Sequence, residues 1–336
     1  MLDLPDSWVW DFWFADDGEN YHLFFLYASR ALHDPERRHG RAGIGHAVSH
    51  DLRQWERVAD ALVHDDPPAF DDMACWTGSV VRHPDGRWFL FYTGATLASD
   101  GRNVQTIGLA TSDDLLVWRR EPGPLLRADP RWYETLPVSE WHDEAFRDPW
   151  VFPDPSGDGW HMLITARATT GPVYGRGVIG HARSDDLLNW TLEPPLTEPG
   201  DRGFGQLEVS QATEVDGRPV LLFSCLGEHV GPARRGVTGG VWAAPAESLL
   251  GPYAIDEAYP LTDDRLYVGR VLHDREGEAH FFAFHNVDEE VSFRGGVSDP
   301  MSIRWEGDRL VVDEKAVRAS APMNSADVSA DRPQVM

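Results

Sequence analysis

Five short runs of aromatic and aliphatic residues recur along the chain at intervals of about sixty residues, and this repeat constrains the fold more than any other feature. Each run has the length and residue types of a buried strand. Turn sequences rich in Gly and Asp precede the runs, so each is predicted to be the second strand of a hairpin. The runs are YHLFFLYAS (21–29), RWFLFYTGA (87–95), GWHMLITAR (159–167), RPVLLFSC (218–225) and AHFFAFHN (279–286).

A second element follows three of these runs and consists of an apolar strand, an Asp-Leu turn and a tryptophan; a degenerate version follows a fourth run. The four examples, the last of them degenerate, are GIGHAVSHDLRQW (43–55), TIGLATSDDLLVW (106–118), VIGHARSDDLLNW (178–190) and GGVWAAPAESLLGPY (239–253). Several strands per unit without a long amphipathic helix predict an all-β fold, a five-bladed β-propeller over residues 1–315. Residues 316–336 are predicted to form a C-terminal tail. A β-sandwich or a two-domain all-β protein is the alternative, although neither explains the regular spacing.

Charge and cysteine content narrow the possible partners and compartment. The net charge of −25 argues against binding nucleic acid or anionic membranes and favours a small neutral substrate. Cys75 and Cys225 lie far apart and form no metal-binding pattern, so neither a disulfide framework nor a zinc site is expected. The N-terminus lacks the basic and apolar regions of a leader peptide, which predicts a cytoplasmic protein. The oligomeric state stays open.

Acidic residues recur at corresponding positions before the buried runs. The innermost strand of a propeller blade lines the central channel and precedes the second strand. Counting back about eleven or twelve residues from each run gives the five positions Asp11, Trp76, Asp148, Glu208 and Val268. A carboxylate in apolar surroundings is costly unless it is paired or functional, so three in register predict a catalytic cluster. Glycoside hydrolysis uses two carboxyl groups at the scissile bond, and a third can bind a sugar hydroxyl.

Four short motifs occur in order at blade spacing: VWDFW (9–13), WTGS (76–79), FRDP (146–149) and QLE (206–208). Together they resemble glycoside hydrolase families 32 and 68, the invertase and levansucrase group of β-fructosidases and fructosyltransferases. These families share a five-bladed propeller, and the resemblance runs over nearly the whole chain.

The resemblance implies a retaining reaction on a β-fructofuranoside. Asp11 would attack the anomeric carbon, Glu208 would act as acid and base, and Asp148 would stabilise the transition state. The predicted substrate-binding residues are Trp10, Trp76, Thr77, Ser79, Arg147 and Gln206. Trp10 and Trp76 would wall the pocket, with a role in core packing as the alternative for either. Thr77 and Ser79 would hydrogen-bond the nucleophile or the sugar.

The sequence departs from the pattern of these families around the leaving group. Asp11 lacks the Asn-Asp-Pro-Asn-Gly context of the invertase branch, and Val-Ser follows Glu208 where that branch has Cys-Pro. Gln206 replaces an acidic residue of the levansucrase branch, and FSCLG (223–227) lacks a following Arg. A retained fructosyl site with an altered leaving-group site is therefore predicted, with sucrose or fructo-oligosaccharides as donors. Because the chain ends with the fifth blade, no C-terminal β-sandwich is expected.

Two other functions fit parts of this pattern. The related families 43 and 62 act on arabinofuranosides and xylosides and also use two Asp and one Glu in this order. A carbohydrate-binding propeller without turnover would keep the aromatic walls but would not need all three carboxylates. No cofactor is expected, because HExxH is absent and the HxxxH pair His46 and His50 runs from a predicted strand into a turn. A structural calcium ion bound by loop aspartates stays open.

Overall fold

The structure, a computed structural model, describes residues 1–288 and 291–314. In this part of the chain, twenty strands form five four-stranded antiparallel sheets, each made from four consecutive strands. The prediction of an all-β, five-bladed propeller is confirmed, and every strand of the described residues belongs to a blade. The predicted tail, residues 316–336, lies outside the described residues.

Loops of varied length connect the strands, and some of them contain a turn of 3₁₀ helix. Blade 1 contains β1 (Ser7–Asp16), β2 (Tyr21–Ser29), β3 (Gly43–Ser49) and β4 (Glu56–Arg57), and blade 2 contains β5 (Ala74–Arg82), β6 (Trp88–Leu97), β7 (Asn103–Ser112) and β8 (Arg119–Arg120). Blade 3 contains β9 (Phe146–Pro153), β10 (Trp160–Arg167), β11 (Gly177–Ser184) and β12 (Trp190–Glu193), and blade 4 contains β13 (Glu208–Val215), β14 (Arg218–Cys225), β15 (Gly240–Pro245) and β16 (Tyr259–Pro260). Blade 5 contains β17 (Leu266–His273), β18 (Ala279–His285), β19 (Met301–Glu306) and β20 (Arg309–Val312). The 3₁₀ turns are Arg30–Leu32, Pro35–Arg41, Leu136–Val138, Val173–Gly175, Gly227–His229, Pro232–Arg234 and Ile255–Glu257.

The Asp-Leu turns and the tryptophans of the repeat have separate structural roles. In the turn after β7, the Asp114 carboxylate accepts the amides of Leu116 and Val117 at 2.9 Å each, and the turns after β3 and β11 repeat this arrangement. The tryptophan then packs against the preceding blade: the Trp190 ring meets Phe91 edge-on with centroids 5.5 Å apart. The repeat therefore encodes the turn between the third and fourth strands of blades 1 to 3, and in blades 2 and 3 an apolar contact with the preceding blade.

The N-terminal segment closes the ring of blades. The innermost strands β1, β5, β9, β13 and β17 contact one another in sequence, and β17 contacts β1. Leu2 pairs with Val297 of blade 5 through two backbone hydrogen bonds of 3.0 and 2.9 Å. The amide of Gly296 also donates to the carbonyl of Val9 at 2.8 Å, so the first and last blades share main-chain hydrogen bonds.

Each innermost strand carries a β-bulge at the same height along the channel. The residues just before the bulges are Trp10, Trp76, Arg147, Glu208 and Tyr267, and the residues at the bulges are Asp11, Thr77, Asp148, Val209 and Val268. The predicted set of equivalent positions is therefore wrong in two blades. Trp76 and Glu208 lie one residue earlier than Asp11 and Asp148, because hairpins of unequal length shift the count.

Hydroxyl groups on the second strands support three of these bulges from the preceding blade. Asp148, Val209 and Val268 have positive φ angles of 58°, 49° and 53°, a conformation that residues with a Cβ atom rarely adopt. Their amides donate to the hydroxyls of Thr93 at 2.9 Å, Thr165 at 3.1 Å and Ser224 at 3.0 Å. These three hydroxyl residues occupy the same position in FYTG, LITA and LFSC, so one repeated residue type fixes one repeated distortion.

Replacing Thr93 by Val should lower the free energy of unfolding by about 1–3 kcal/mol. The substitution keeps the shape but removes the acceptor for the Asp148 amide and the donor to the Thr77 carbonyl, 3.0 Å away. Urea denaturation measures the effect. Thr106→Val is the matched control, because Thr106 is equally buried and its hydroxyl has no hydrogen-bond partner in the structure. Equal losses in the two variants would contradict a supporting role for Thr93.

Candidate active site

A cavity of about 670 Å³ opens at the end of the central channel where the five bulges meet. Nine of the ten residues that form the bulge pairs line it: Trp10, Asp11, Trp76, Thr77, Arg147, Asp148, Glu208, Val209 and Tyr267. Its volume is within the range of small-molecule sites. Four innermost strands supply two of these residues each and β17 supplies Tyr267, so residues far apart in sequence face one space.

Asp11 lies among groups that disfavour its charged form. Burial raises the pKa of Asp11 to about 7, and the negative charges of Asp148 and Glu208 act in the same direction. The Thr77 hydroxyl donates a hydrogen bond to Asp11 Oδ2, and this contact lowers the pKa. Arg270 also lowers it through its charge. The carboxyl of Asp11 is therefore poised to change its charge near neutral pH.

Arg147 connects the carboxylates of blades 3 and 4. Its Nη2 donates to Glu208 Oε1 at 2.7 Å and to Gln206 Oε1 at 2.5 Å, and its Nη1 donates to Gln105 Oε1 at 3.0 Å. The Tyr267 hydroxyl donates to the other oxygen of Glu208. Both oxygens of the Glu208 carboxylate are thereby held, one by a charged donor and one by a phenol.

Asp148 is almost completely enclosed. Its Oδ2 accepts the amide of Val209 at 3.2 Å and lies 3.4 Å from Arg147 Nε. Burial raises the pKa of Asp148, while the charge of Arg147 opposes the shift. Oδ2 of Asp148 is thus fixed by a backbone amide of β13 and by the guanidinium of the preceding residue on β9.

The structure brings together eight of the nine residues predicted for the site. Trp10 and Trp76 both line the cavity, and Trp76 Nε1 donates to the carbonyl of His39 at 2.8 Å. Gln206 also lines the cavity, and its Nε2 has no hydrogen-bond partner in the structure. Ser79 needs correction: it is buried away from the cavity lining, and its hydroxyl accepts the amide of Val151 at 3.1 Å. Ser79 lies two residues beyond the bulge, and its hydrogen bond joins blade 2 to blade 3.

Sequence reasoning missed two residues of blade 5. Tyr267 lies just before the bulge, one position before the Val268 that was selected by counting. Arg270 is fully buried, its Nη1 donates to the Ser210 carbonyl at 2.9 Å, and its guanidinium carbon lies 4.8 Å from the Trp150 ring centre. The tyrosine and arginine in LYVGR could have signalled a polar site, because both are unusual on a buried strand.

The described part of the chain offers no candidate for a metal site or a membrane-spanning helix. Over residues 1–288 and 291–314, no group of three or more His, Cys, Asp or Glu side chains could hold a metal ion. His46 is buried, and its Nε2 lies 2.9 Å from His22 Nδ1 rather than facing His50. Among these residues no helix has the length and apolar character needed to cross a membrane.

Comparison with known proteins identifies the family. The profile of the glycosyl hydrolases family 32 N-terminal domain matches residues 13–249. The chain belongs to glycosyl hydrolase family 32. This membership confirms the resemblance to family 32 and leaves families 43 and 62 without support. The matched range contains Asp148 and Glu208, and Asp11 lies two residues before it.

Individual relatives agree with this family, but this chain matches less than half the length of the curated relatives. Sucrose-6-phosphate hydrolase of Bacillus subtilis is 32% identical over 209 residues, which is 61% of this chain and 38% of the relative. Fructan 1-exohydrolase w2 of Triticum aestivum is 34% identical over 184 residues, 52% of this chain and 27% of the relative. Inulosucrase from Halalkalicoccus jeotgali, solved with bound kestose, has the same fold, with a TM-score of 0.74 and 24% identity over 92% of this chain and 87% of that chain.

Proposed function

We propose that this protein is a retaining β-fructofuranosidase that hydrolyses sucrose or fructo-oligosaccharides. The observation that carries the proposal is the meeting of Asp11, Asp148 and Glu208 in one cavity of a family 32 chain. The relatives include a sucrose-6-phosphate hydrolase and a fructan exohydrolase, which supports a fructoside as substrate.

The proposed reaction proceeds in two displacements. In the first, an Asp11 oxygen forms a bond to C2 of the fructosyl unit while the glycosidic C2–O bond breaks and Glu208 gives its proton to the leaving oxygen. In the second, Glu208 removes a proton from water, the water oxygen bonds to C2, and the bond to Asp11 breaks. One fructoside and one water give fructose and a free alcohol. An incoming sugar hydroxyl in place of water would give transfer.

The neighbouring groups have roles that follow from their contacts. Thr77 holds Asp11 by a hydrogen bond and favours its charged, nucleophilic form. Arg147 and Tyr267 orient Glu208. Asp148, fixed by the Val209 amide, would accept hydrogen bonds from sugar hydroxyls that strengthen as positive charge develops at C2.

The charges of the cavity favour an uncharged donor over a phosphorylated sugar. Each arginine among the described lining residues already faces a carboxylate: Arg38 pairs with Glu36 at 3.1 Å, Arg102 with Asp100 at 2.8 Å and Arg147 with Glu208 at 2.7 Å. Burial lowers the pKa of His39 to about 3, so its ring is neutral. A phosphate group would therefore meet paired cations and several carboxylates.

The test of this proposal is sugar release from a substrate panel, followed by chromatography. The panel contains sucrose, sucrose 6-phosphate, inulin-type and levan-type oligosaccharides, difructose anhydrides and aryl arabinofuranosides. Release of fructose with a preference for the uncharged donors is expected. Release of arabinose without fructose, or no product from any substrate, would contradict the proposal, and ligand binding without turnover would indicate a carbohydrate-binding protein.

The acid side of the pH profile should reflect Asp11. Because the pKa of Asp11 is raised to about 7 and the nucleophile must be ionised, kcat/KM should fall about tenfold per pH unit below about pH 7. Thr77→Val removes a contact that lowers this pKa, so the fall should begin at a higher pH. Ser79→Ala, on the same strand with its hydroxyl bonded elsewhere, should leave the profile unchanged. A profile that does not move in Thr77→Val would rule out this assignment.

A further inference from the structure

Four aromatic rings form a contiguous cluster in the loops beside blades 3 and 4, at the edge of the cavity. We call Trp141, His142, Tyr174 and His229 the aromatic shelf. The Trp141 ring lies at its centre, with ring centres 5.0 Å from His142, 5.7 Å from Tyr174 and 4.9 Å from His229. His142 and His229 line the cavity, so the shelf begins at the site itself.

The outer part of the shelf is open to solvent. Tyr174 is 46% exposed, and the His142 side chain is 67% exposed, whereas Trp141 beneath them is only 6% exposed. Burying a large aromatic side chain is favourable, and an exposed one gains this energy only when a ligand covers it. Exposed aromatic groups therefore tend to mark binding sites.

A buried arginine holds the shelf in place. The guanidinium carbon of Arg167 lies 4.0 Å from the centre of the Trp141 ring. Its Nη2 donates to the carbonyl of Val173, next to Tyr174, at 3.0 Å, and its Nη1 donates to the carbonyl of Gly205. Glu134 balances the charge at 2.6 Å from Nε. One ion pair thus fixes the loop of Trp141 and the 3₁₀ turn of Tyr174 together, which gives the exposed rings a defined position.

We propose that the aromatic shelf is a binding subsite for further sugar rings of a fructo-oligosaccharide whose terminal fructosyl unit occupies the cavity. The inference rests on the proposed fructosidase function and specifies its substrate class. The rings supply flat apolar faces for uncharged sugar rings, while the imidazole and phenol groups at their edges can hydrogen-bond hydroxyls. The continuity with the cavity indicates a chain that leaves the site, since a disaccharide would not need a surface outside it.

The experiment compares kcat/KM for an inulin-type pentasaccharide and for sucrose in wild type, Tyr174→Ala, Tyr174→Phe and His142→Ala. The ratio of the two values should fall about three- to tenfold in Tyr174→Ala and in His142→Ala, the effect of losing one aromatic contact. Tyr174→Phe keeps the ring and should retain most of the ratio. Leu188→Ala is the matched control, because Leu188 is also exposed, at 44%, but does not belong to the shelf and does not line the cavity.

The outcomes separate this inference from the function on which it rests. An unchanged ratio in both Tyr174→Ala and His142→Ala, in an enzyme that hydrolyses both substrates, overturns the subsite and leaves the fructosidase function standing. An equal fall in Leu188→Ala also overturns it, because the effect would then not depend on the shelf. A wild-type protein that releases fructose from neither substrate overturns the function and the subsite together.

Discussion

Asp11→Asn should lower kcat for the best fructoside by about 10⁴- to 10⁶-fold. Asparagine has nearly the same shape and can still accept the hydrogen bond of Thr77, but its amide oxygen cannot serve as the nucleophile. The loss should appear in kcat with a small change in KM, because the substituted group reacts rather than binds. Initial rates from sugar release, measured at pH 8 where the wild-type carboxyl is ionised, give the comparison.

Asp143→Asn is the matched control for this variant. Asp143 is another carboxylate that lines the cavity, and it accepts a hydrogen bond from Gln105 Nε2 at 2.7 Å. Its replacement should leave kcat within about tenfold of wild type, since it lies outside the proposed catalytic groups. A comparable loss in both variants would mean that any buried charge change disables the site, and a modest loss in Asp11→Asn would exclude Asp11 as nucleophile.

Stability should move in the opposite direction from activity in Asp11→Asn. The pKa of Asp11 is raised in the folded protein to about 7, so the native state binds this proton more tightly than the unfolded chain. The contribution of Asp11 to stability is therefore lost as pH rises through 7. A neutral asparagine removes that loss, and the variant should be at least as resistant to urea as wild type at pH 8. A protein that gave up stability for a poised nucleophile would show this pattern.

The fold could be predicted from sequence because its information is repeated. Runs such as YHLFFLYAS are too apolar for a surface position and too short for most helices, and five of them at similar spacing leave few architectures open. The structure confirms all five as second strands of hairpins, β2, β6, β10, β14 and β18. Because the local pattern recurs five times, one irregular loop does not prevent the prediction of the architecture.

The site was harder to predict because it depends on single residues at irregular backbone positions. A bulge adds one residue to an innermost strand. Counting back a fixed number of residues from the second strand therefore reaches either the bulge residue or its neighbour, depending on the length of the hairpin. That error hid Tyr267 and gave Glu208 and Asp148 the same register. Ser79 was misplaced for a related reason, since beyond the bulge its side chain no longer faces the cavity.

Glu208→Gln should lower sucrose hydrolysis by about 10²- to 10⁴-fold, and the loss should depend on the leaving group. Glutamine cannot donate a proton of comparable acidity to the departing sugar oxygen. An aryl β-fructofuranoside with an acidic phenol needs no such proton, so its first displacement should stay fast in the variant. The second displacement still lacks a base for water, and release of phenol should therefore show a rapid burst of about one equivalent per enzyme before a slow phase.

The contrast between substrates separates the roles of the two carboxylates. Asp11→Asn should be slow with both the aryl fructoside and sucrose, because the nucleophile is required whatever leaves. Arg147 and Tyr267 both bond Glu208 in the wild type, and a glutamine side chain can keep only part of these contacts. Tyr267→Phe therefore serves as the control for disturbed geometry: it should lower activity on both substrates by a similar factor and give no burst. A burst in Asp11→Asn instead of Glu208→Gln would exchange the two assignments, whereas equal losses on both substrates in Glu208→Gln would remove Glu208 as the proton donor.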